Sequence, residues 1–402
     1  MIGLAYCDKA GRIYFDETVE PLADGGVIRS VEHDELIPAP SGTVEMILPG
    51  RRPLTRDGVA KRRYAIAVIL PAGYTRLLVP AYHREPDAPT LPLFGYTFAC
   101  VVDDELHVAA MRTDESEDWQ PRYFAQQELE KIVDARIARD PSNRVLRQVG
   151  LCSREYGCFT AQNVFLERGE AALPVSPKCN ARCVGCISEL AEDVLLPSPQ
   201  TRIAFETTAE ELARVGIHHL QRVSHGIVSF GQGCEGEPLL RSTTIARAIE
   251  LIRGERSNGT INLNTNGSMT SGLERCIDAG LQAVRVSLNA FRPKVYAAYY
   301  RPLGYTLENV FESIRLASRR GLRVSLNLLT HPGVTDEAEE VDAMRRFLSD
   351  VRVDMIQTRT LNIDPEWYFG AVGRPRNPIG MRAAIQAIQD SGVRIGNFTH
   401  TH

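Results

Sequence analysis

The chain has 402 residues, of which 44% are hydrophobic and 24% are charged. That composition is ordinary for a globular protein, and the length exceeds one small domain, so we expect a large domain and a smaller one. The formal net charge of −4 excludes an overall positive field that would recruit nucleic acid. A local basic run from Arg51 to Arg63 is more typical of a solvated hairpin or loop than of an RNA site.

The start of the chain and its cysteine count indicate the cellular compartment in which the protein is expected. Residues 1–15 lack the basic and apolar segments of a signal peptide, and no apolar run approaches the ~18 residues of a membrane span. Nine cysteines are too few for a disulfide framework in a chain of this length, and an odd number cannot all pair. We therefore expect a cytoplasmic protein with no membrane partner.

Residues 1–125 are predicted to form a β-rich N-terminal domain. Short runs rich in β-branched and aromatic residues, separated by Pro, Gly and Asp, predict strands at 43–50, 64–71, 75–82, 96–102 and 105–112. These strands favour a small antiparallel sheet or barrel. Residues 126–140 show apolar spacings of three and four, which predict an amphipathic helix at the start of a helical linker over 126–169.

From residue 170 to residue 402, predicted strands and helices alternate. The strands are expected at 171–176, 226–230, 260–265, 283–289, 322–330 and 353–361, and the helices at 208–223, 242–255, 271–280, 306–321, 336–350 and 378–392. Helices of this length between strands imply parallel pairing with right-handed crossovers. In such folds the functional residues lie at the carboxyl ends of the strands.

Three cysteines follow the first predicted strand of this second region. Cys179, Cys183 and Cys186 place three thiols within eight residues. A polynuclear centre fits three local thiolates, and a four-iron cluster held this way keeps one iron without a protein thiolate. A zinc knot is the alternative, but it needs a fourth Cys or His and usually takes its ligands as two pairs.

Polar residues also follow the later strands, where a bound ligand would meet them. Glycine allows a close backbone approach, and short amides, hydroxyls and carboxylates can hydrogen-bond a ligand, but Asn, Ser and Gly are also common in turns, so each residue alone is nearly as well explained by turn chemistry. These candidates are Gly236 and Glu237 after the second strand, Asn264 and Asn266 at the third, Ser287 and Asn289 at the fourth, and Asn327 on the fifth.

With the cysteine spacing, the GEP sequence at 236–238 and the TNG sequence at 265–267, residues 170–370 resemble the core domain of the radical S-adenosylmethionine (radical SAM) enzymes. The resemblance implies an α/β fold, namely a partial (β/α)6 parallel barrel that follows the N-terminal β-rich domain in the chain. It also implies that the three cysteines bind a 4Fe-4S cluster whose fourth iron is chelated by SAM. Gly185 departs from the aromatic residue often found before the last cysteine.

The resemblance further implies an enzyme that reductively cleaves SAM to a 5'-deoxyadenosyl radical, which abstracts a hydrogen atom from an unidentified substrate. Glu237 would receive the ammonium group of SAM, and the polar residues of the next three strands would line the SAM pocket. The expected partner is an electron donor such as flavodoxin or ferredoxin. A radical SAM methyl- or sulfur-transferring enzyme and a non-catalytic iron-sulfur or zinc protein are the alternatives.

Five more residues have two interpretations each. Cys152 and Cys158 are candidates for a second metal centre, although only two thiols lie close together in the sequence. Cys234 is a candidate hydrogen-atom donor or a packed thiol. His331 is expected to contact substrate or SAM, or else to start a turn before a proline. Arg359 is expected to bind an anionic group or to form a salt bridge at the rim.

Overall fold

The computed structural model describes residues 1–115, 128–190, 194, 196–255 and 258–397. Residues 1–115 contain only β-strands and one short 3-10 helix, as predicted for this region. The strands are β1 (Gly3–Cys7), β2 (Ile13–Asp16), β3 (Leu22–Asp24), β4 (Ile28–Ser30), β5 (Leu36–Pro38), β6 (Val44–Ile47), β7 (Arg51–Thr55), β8 (Gly58–Val59), β9 (Tyr64–Ile69), β10 (Tyr74–Arg76), β11 (Val79–Pro80), β12 (Tyr82–Arg84), β13 (Ala99–Val102) and β14 (Glu105–Arg112).

All pairings among these strands are antiparallel. The main sheet has the order β10-β14-β13-β1-β9-β6, with β2 added to β1 and β5 added to β14, and two three-stranded sheets (β11-β3-β4 and β12-β7-β8) lie beside it. The strand predicted at 75–82 divides into β10 and β11, which belong to different sheets. Leu77 and Leu78, at the break, are both buried, and this interrupts the alternation that a single strand requires.

The rest of the described chain is α/β. Its helices are α1 (Leu129–Arg139), α2 (Arg144–Glu155), α3 (Phe159–Leu166), α4 (Ala209–Arg222), α5 (Ser242–Gly254), α6 (Thr270–Asp278), α7 (Pro293–Tyr300), α8 (Leu307–Arg319), α9 (Ala338–Asp350), α10 (Pro365–Val372) and α11 (Met381–Asp390). Its strands are β15 (Glu170–Leu173), β16 (Ile227–Phe230), β17 (Thr260–Thr265), β18 (Ala283–Leu288), β19 (Arg323–Thr330), β20 (Met355–Thr360) and β21 (Arg394–Gly396).

Strands β15 to β21 form one parallel sheet in sequence order. The prediction of a parallel α/β sheet is confirmed, but the sheet has seven strands rather than six, and the described residues contain no pairing between β15 and β21 that would close it. The seventh strand is only three residues long, too short for periodicity to reveal. Helices α7 and α10, which were not predicted, have eight residues each and begin at a proline.

The predicted linker helix is α1, and residues 126 and 127 lie outside the described residues. Leu129 of α1, Leu146 of α2 and Val164 of α3 belong to the same hydrophobic core as the sheet residues Val228 and Ile261. The three helices therefore pack as part of the α/β unit. Within the described chain, no helix combines the length and the apolar character needed to span a bilayer.

The parallel sheet has two chemically different faces. One face is apolar and packs on the helices, as with Val286, Leu326 and Ile356. The opposite face is here called the polar face, and the strand register places its residues side by side. These residues are Ser229, Asn262, Asn264, Arg285, Ser287, Ser325, Asn327, Gln357 and Arg359. Strands of fully covered parallel sheets are normally apolar throughout, so this face has a function other than core packing.

The N-terminal strands are joined to the sheet by buried polar contacts. The Arg51 guanidinium, which is fully buried, donates to Asp364 at 2.9 Å. The hydroxyls of Thr75 in β10 and Thr358 in β20 lie 2.7 Å apart. Because Thr358 points away from the polar face, β10 covers β20 on the side where helices cover the other strands.

The local basic run is neutralised by acidic side chains. Arg51 pairs with Asp364 and Glu366. Further ion pairs join Arg52 to Glu85, Arg56 to Glu20 and Arg63 to Asp16. These pairings support the hairpin interpretation over the RNA-site interpretation.

One partly buried ion pair gives the stability of the α/β unit a specific pH dependence. Glu211, in the first turn of α4, accepts hydrogen bonds at 2.7 Å from the Arg144 guanidinium of α2. These bonds lower the pKa of Glu211 to about 2 from an ordinary value of 4.5. Between pH 2 and pH 4.5 the unfolded chain binds more protons than the folded chain. The stabilisation that the Glu211–Arg144 pair gives to the fold is therefore complete above pH 4.5 and is lost as the pH falls toward 2.

We therefore expect Glu211→Gln to lower the free energy of unfolding near neutral pH, with the difference from wild type narrowing as the pH falls below 4.5. Urea unfolding at a series of pH values measures this. Glu250→Gln, which removes an exposed pair with Arg247, is the control and should show no such narrowing. A difference that stays constant with pH would contradict this assignment of Glu211.

Candidate functional site

The three cysteines lie in a loop after β15 that is anchored by main-chain hydrogen bonds. Strand β15 ends at Leu173 because the following Pro174 has no N–H to continue the ladder. Farther along, Arg182 N donates to Tyr300 O at 3.0 Å, and Val184 N donates to Tyr299 O at 2.9 Å. The end of α7 thus holds the middle of the cysteine loop in place.

The thiols of this loop are partly buried and influence one another. Burial raises the pKa of Cys179 to about 11, and it raises the pKa of Cys183 further, with added repulsion from the Cys186 and Cys179 thiolates. Among the described residues, no three Cys, His, Asp or Glu donors converge as one metal ion requires. A cluster offers a separate iron to each thiolate, and this loop supplies three thiols without the fourth donor that a zinc knot needs.

An arginine that the sequence analysis did not single out contacts this loop. Arg202 donates from Nη2 to Cys186 Sγ at 3.5 Å and from Nε to Ser188 Oγ at 3.2 Å, and its side chain is 11% exposed. Hydrogen bonds to thiolate sulfur are among the factors that set the potential of an iron-sulfur cluster. No periodicity or spacing in the sequence indicates Arg202, because the intervening segment is irregular.

Gly236 and Glu237, after β16, are joined directly to the cysteine loop. Gly236 N donates to Ser176 O at 2.7 Å, and Glu237 N donates to Lys178 O at 2.9 Å. A Cβ atom added to Gly236 would lie 2.0 Å from Lys178 O, which leaves room only for glycine. The GEP sequence thus positions the residues just before Cys179.

The Glu237 carboxylate joins the ends of β16 and β17. It is 3% exposed and accepts hydrogen bonds from Leu239 N at 3.0 Å, Thr265 Oγ1 at 2.5 Å and Asn266 N at 2.8 Å. Burial raises its pKa to about 7. A carboxylate has about four acceptor positions, so three donors leave room for one more.

Asn266 and Asn264 also bind neighbouring protein groups. Asn266 Nδ2 donates to Asn180 Oδ1 at 2.8 Å, and Asn180 in turn donates to Ser268 Oγ at 2.9 Å. Asn180 lies between the first two cysteines, and the sequence analysis missed it. Asn264 Nδ2 donates to Gly231 O at 2.7 Å. The ends of β15, β16 and β17 therefore form one hydrogen-bonded unit around the cysteine loop.

The remaining predicted ligand contacts lie farther along the sheet. Ser287 and Asn327 are half-buried neighbours in the β18–β19 register. Asn289 is fully buried, with Nδ2 donating to the Tyr368 hydroxyl at 3.2 Å and Oδ1 without a partner among the described residues. The open depressions between α5 and α6 and near Thr260 contain none of these residues.

Three of the other cysteines, Cys152, Cys158 and Cys234, lie close to one another. The Cys152 thiol is hydrogen-bonded to the Cys234 thiol, and Cys158 N donates to Cys152 O at 3.2 Å. Cys234 is buried. Its place beside Cys152 is decided by the tertiary structure, since the two residues are far apart in the sequence.

His331 begins a turn, in line with one of its two predicted interpretations. Its N–H donates to Thr335 Oγ1 at 2.9 Å, and its Nδ1 lies 2.7 Å from Pro332 O. The ring packs 4.8 Å from that of Tyr368. Burial and the positive charge of Arg76 hold the pKa of His331 well below its usual value, so the imidazole is neutral at neutral pH.

Comparison with known proteins identifies one family. Residues 173–347 match the family model described as the Radical SAM superfamily. Among curated proteins, the chain is 24% identical over 246 residues to the FeMo cofactor biosynthesis protein NifB of Klebsiella pneumoniae, covering 57% of this chain and 51% of that protein. It is 30% identical over 167 residues to the GTP 3',8-cyclase of Rhodobacter capsulatus, covering 40% and 44%.

The chain thus spans about half the length of the curated relatives it matches. Among solved structures, a radical SAM methyltransferase from Sphaerobacter thermophilus superposes with a TM-score of 0.39 and 14% sequence identity, covering 56% of this chain and 64% of that one.

Proposed function

We propose that this chain cleaves SAM reductively and uses the 5'-deoxyadenosyl radical to abstract a hydrogen atom from a substrate. The basis is that residues 173–347 match the model of the Radical SAM superfamily. Proteins of this superfamily use a 4Fe-4S cluster and SAM. When bound, the cluster supplies the electron that splits SAM into methionine and this radical. The observation that supports the proposal most directly is the hydrogen-bonded unit joining the cysteine loop, Glu237 and Asn266.

Cys179, Cys183 and Cys186 are the proposed cluster ligands. Their spacing, their shared loop and the absence of a fourth thiol from that loop fit a cluster with one open iron. The raised pKa values of Cys179 and Cys183 mean that both thiols are protonated near neutral pH without metal, so cluster assembly must displace protons.

The proposed SAM contacts are Gly236, Glu237, Asn264 and Asn266, together with Ser287, Asn289 and Asn327 farther along the sheet. Glu237 would receive the SAM ammonium with the acceptor position that its three protein donors leave open. Asn266 would act mainly by holding Asn180 and hence the cysteine loop. Flavodoxin or ferredoxin is the proposed electron donor.

The function is tested by reconstituting the purified protein with iron and sulfide without oxygen, reducing it with dithionite and adding SAM. We expect iron bound at about four atoms per chain and formation of 5'-deoxyadenosine and methionine. Bound iron without 5'-deoxyadenosine would overturn the proposed reaction. Consumption of a second SAM per turnover would instead favour the methyl-transferring alternative.

We expect Glu237→Gln to weaken SAM binding by about tenfold to a hundredfold, because a hydrogen bond to a charged group contributes ~1.5 to 3 kcal/mol. Iron content should be unchanged. Calorimetric titration of the cluster-loaded protein with SAM measures the affinity, and the surface variant Glu250→Gln is the control. An unchanged affinity would leave Glu237 with only its role of joining β16 to β17.

A further inference from the structure

The main chain around Arg202 is held in place on both sides by hydrogen bonds to other segments. Gln200 N donates to Ile187 O at 2.9 Å, and Ile203 N donates to Cys234 O at 2.8 Å. Ile203 is 2% exposed and belongs to the same hydrophobic core as the parallel sheet. Arg202 therefore has a fixed place between the cysteine loop and the residues that follow β16.

The Arg202 side chain directs its polar contacts to the end of the cysteine loop. Its Nη2 donates to Cys186 Sγ at 3.5 Å, and its Nε donates to Ser188 Oγ at 3.2 Å. Its Nη1 forms an ion pair with Glu189. The Ser188 hydroxyl lies 3.8 Å from Cys186 Sγ, so the guanidinium, the hydroxyl and the sulfur form one local group.

The two charges of this group differ in their exposure to water. The side chain of Arg202 is 11% exposed, whereas that of Glu189 is 65% exposed. Water and salt screen an exposed charge, whereas a largely buried charge acts more strongly on its neighbours. The net effect of the pair at Cys186 is therefore that of a positive charge.

We propose that Arg202 is a positioning residue that acts through Cys186 and raises the reduction potential of the cluster. A guanidinium stays charged throughout the pH range of folded proteins, and hydrogen bonds to the cluster sulfurs are among the factors that set the potential. This inference rests on the proposed function, because it names a residue that regulates that site.

Arg202 acts on one step, the transfer of one electron from the external donor to the cluster. The donor is oxidised, the cluster is reduced and gains one negative charge, and no bond forms or breaks. The positive charge beside Cys186 stabilises that added negative charge. Removing the positive charge should therefore make the cluster harder to reduce.

The test is a redox titration of the cluster-loaded protein without SAM, in which electron paramagnetic resonance measures the reduced cluster. At a fixed solution potential, Arg202→Gln should lower the ratio of reduced to oxidised cluster about tenfold, because glutamine keeps an N–H donor but lacks the charge. A tenfold change is ~59 mV for one electron. Arg202→Lys keeps the charge and should stay closer to wild type than to Arg202→Gln.

Two further variants separate this role from a purely structural one. Glu189→Gln removes the opposing charge and should raise the ratio, by about twofold because Glu189 is exposed. Arg247→Gln, which removes an exposed ion pair with Glu250, is the control and should match wild type. A structural role alone would change iron content or stability, and it would not shift the potential in opposite directions in Arg202→Gln and Glu189→Gln.

An unchanged ratio in Arg202→Gln, or an equal decrease in Arg202→Lys, would overturn the proposal. If Arg202→Gln does not retain its iron, Glu189→Gln decides, and a ratio at or below that of wild type would overturn the proposal. Iron content and 5'-deoxyadenosine formation in wild type test the proposed function separately, so these results leave that function intact.

Discussion

Cys183→Ala is expected to abolish both cluster binding and SAM cleavage. The loop supplies three thiols, and no other cysteine can replace Cys183, because hydrogen bonds from Arg182 and Val184 to the end of α7 hold its main chain in place. Two thiolates do not retain a four-iron cluster. Iron analysis, visible absorbance and 5'-deoxyadenosine formation measure the loss.

The matched control for this variant is Cys276→Ala. Cys276 is fully buried in α6, where its thiol contacts the carbonyl of Ser242. Iron content and cleavage in that variant should equal those of wild type. If Cys183→Ala kept its iron and cleaved SAM, the ligand assignment would be wrong.

Asp364→Ala is expected to have the largest effect on stability, a loss of ~3 to 5 kcal/mol. Asp364 Oδ2 accepts from Arg51 Nη2 at 2.9 Å and from Leu91 N at 2.8 Å, and Oδ1 accepts from Glu366 N at 2.9 Å. Among the residues that the structure describes, the variant leaves the buried Arg51 with the more exposed Glu366 as its remaining acidic partner. The shift of the urea unfolding midpoint measures the loss.

Glu250→Ala is the control for this prediction. It removes one partner of an ion pair with Arg247 in which both side chains are more than half exposed, so the expected loss is below ~1 kcal/mol. Equal midpoints for Asp364→Ala and wild type would show that the buried pair contributes little to the attachment of the N-terminal strands. A selective shift in only one unfolding transition would locate the effect at the junction of these strands with the start of α10.

The core of the fold could be predicted from the sequence because it depends on local patterns. Strands β15 to β20 and helices α4, α5, α6, α8, α9 and α11 all follow from hydrophobic periodicity and from glycine at helix ends. Short elements escaped prediction. Strands of three residues, such as β3 and β21, are stabilised by neighbours that come from distant parts of the chain.

The sequence by itself determined the resemblance to the radical SAM enzymes, the three-cysteine loop and its position after the first parallel strand. Those features depend on residue type and spacing, which act over a few residues. Only the tertiary structure decided that Asn180 binds Asn266, that Arg202 contacts Cys186 and that β10 covers β20. Each of these contacts joins segments far apart in the chain, and their positions depend on how the strands and helices pack, which local spacing does not encode.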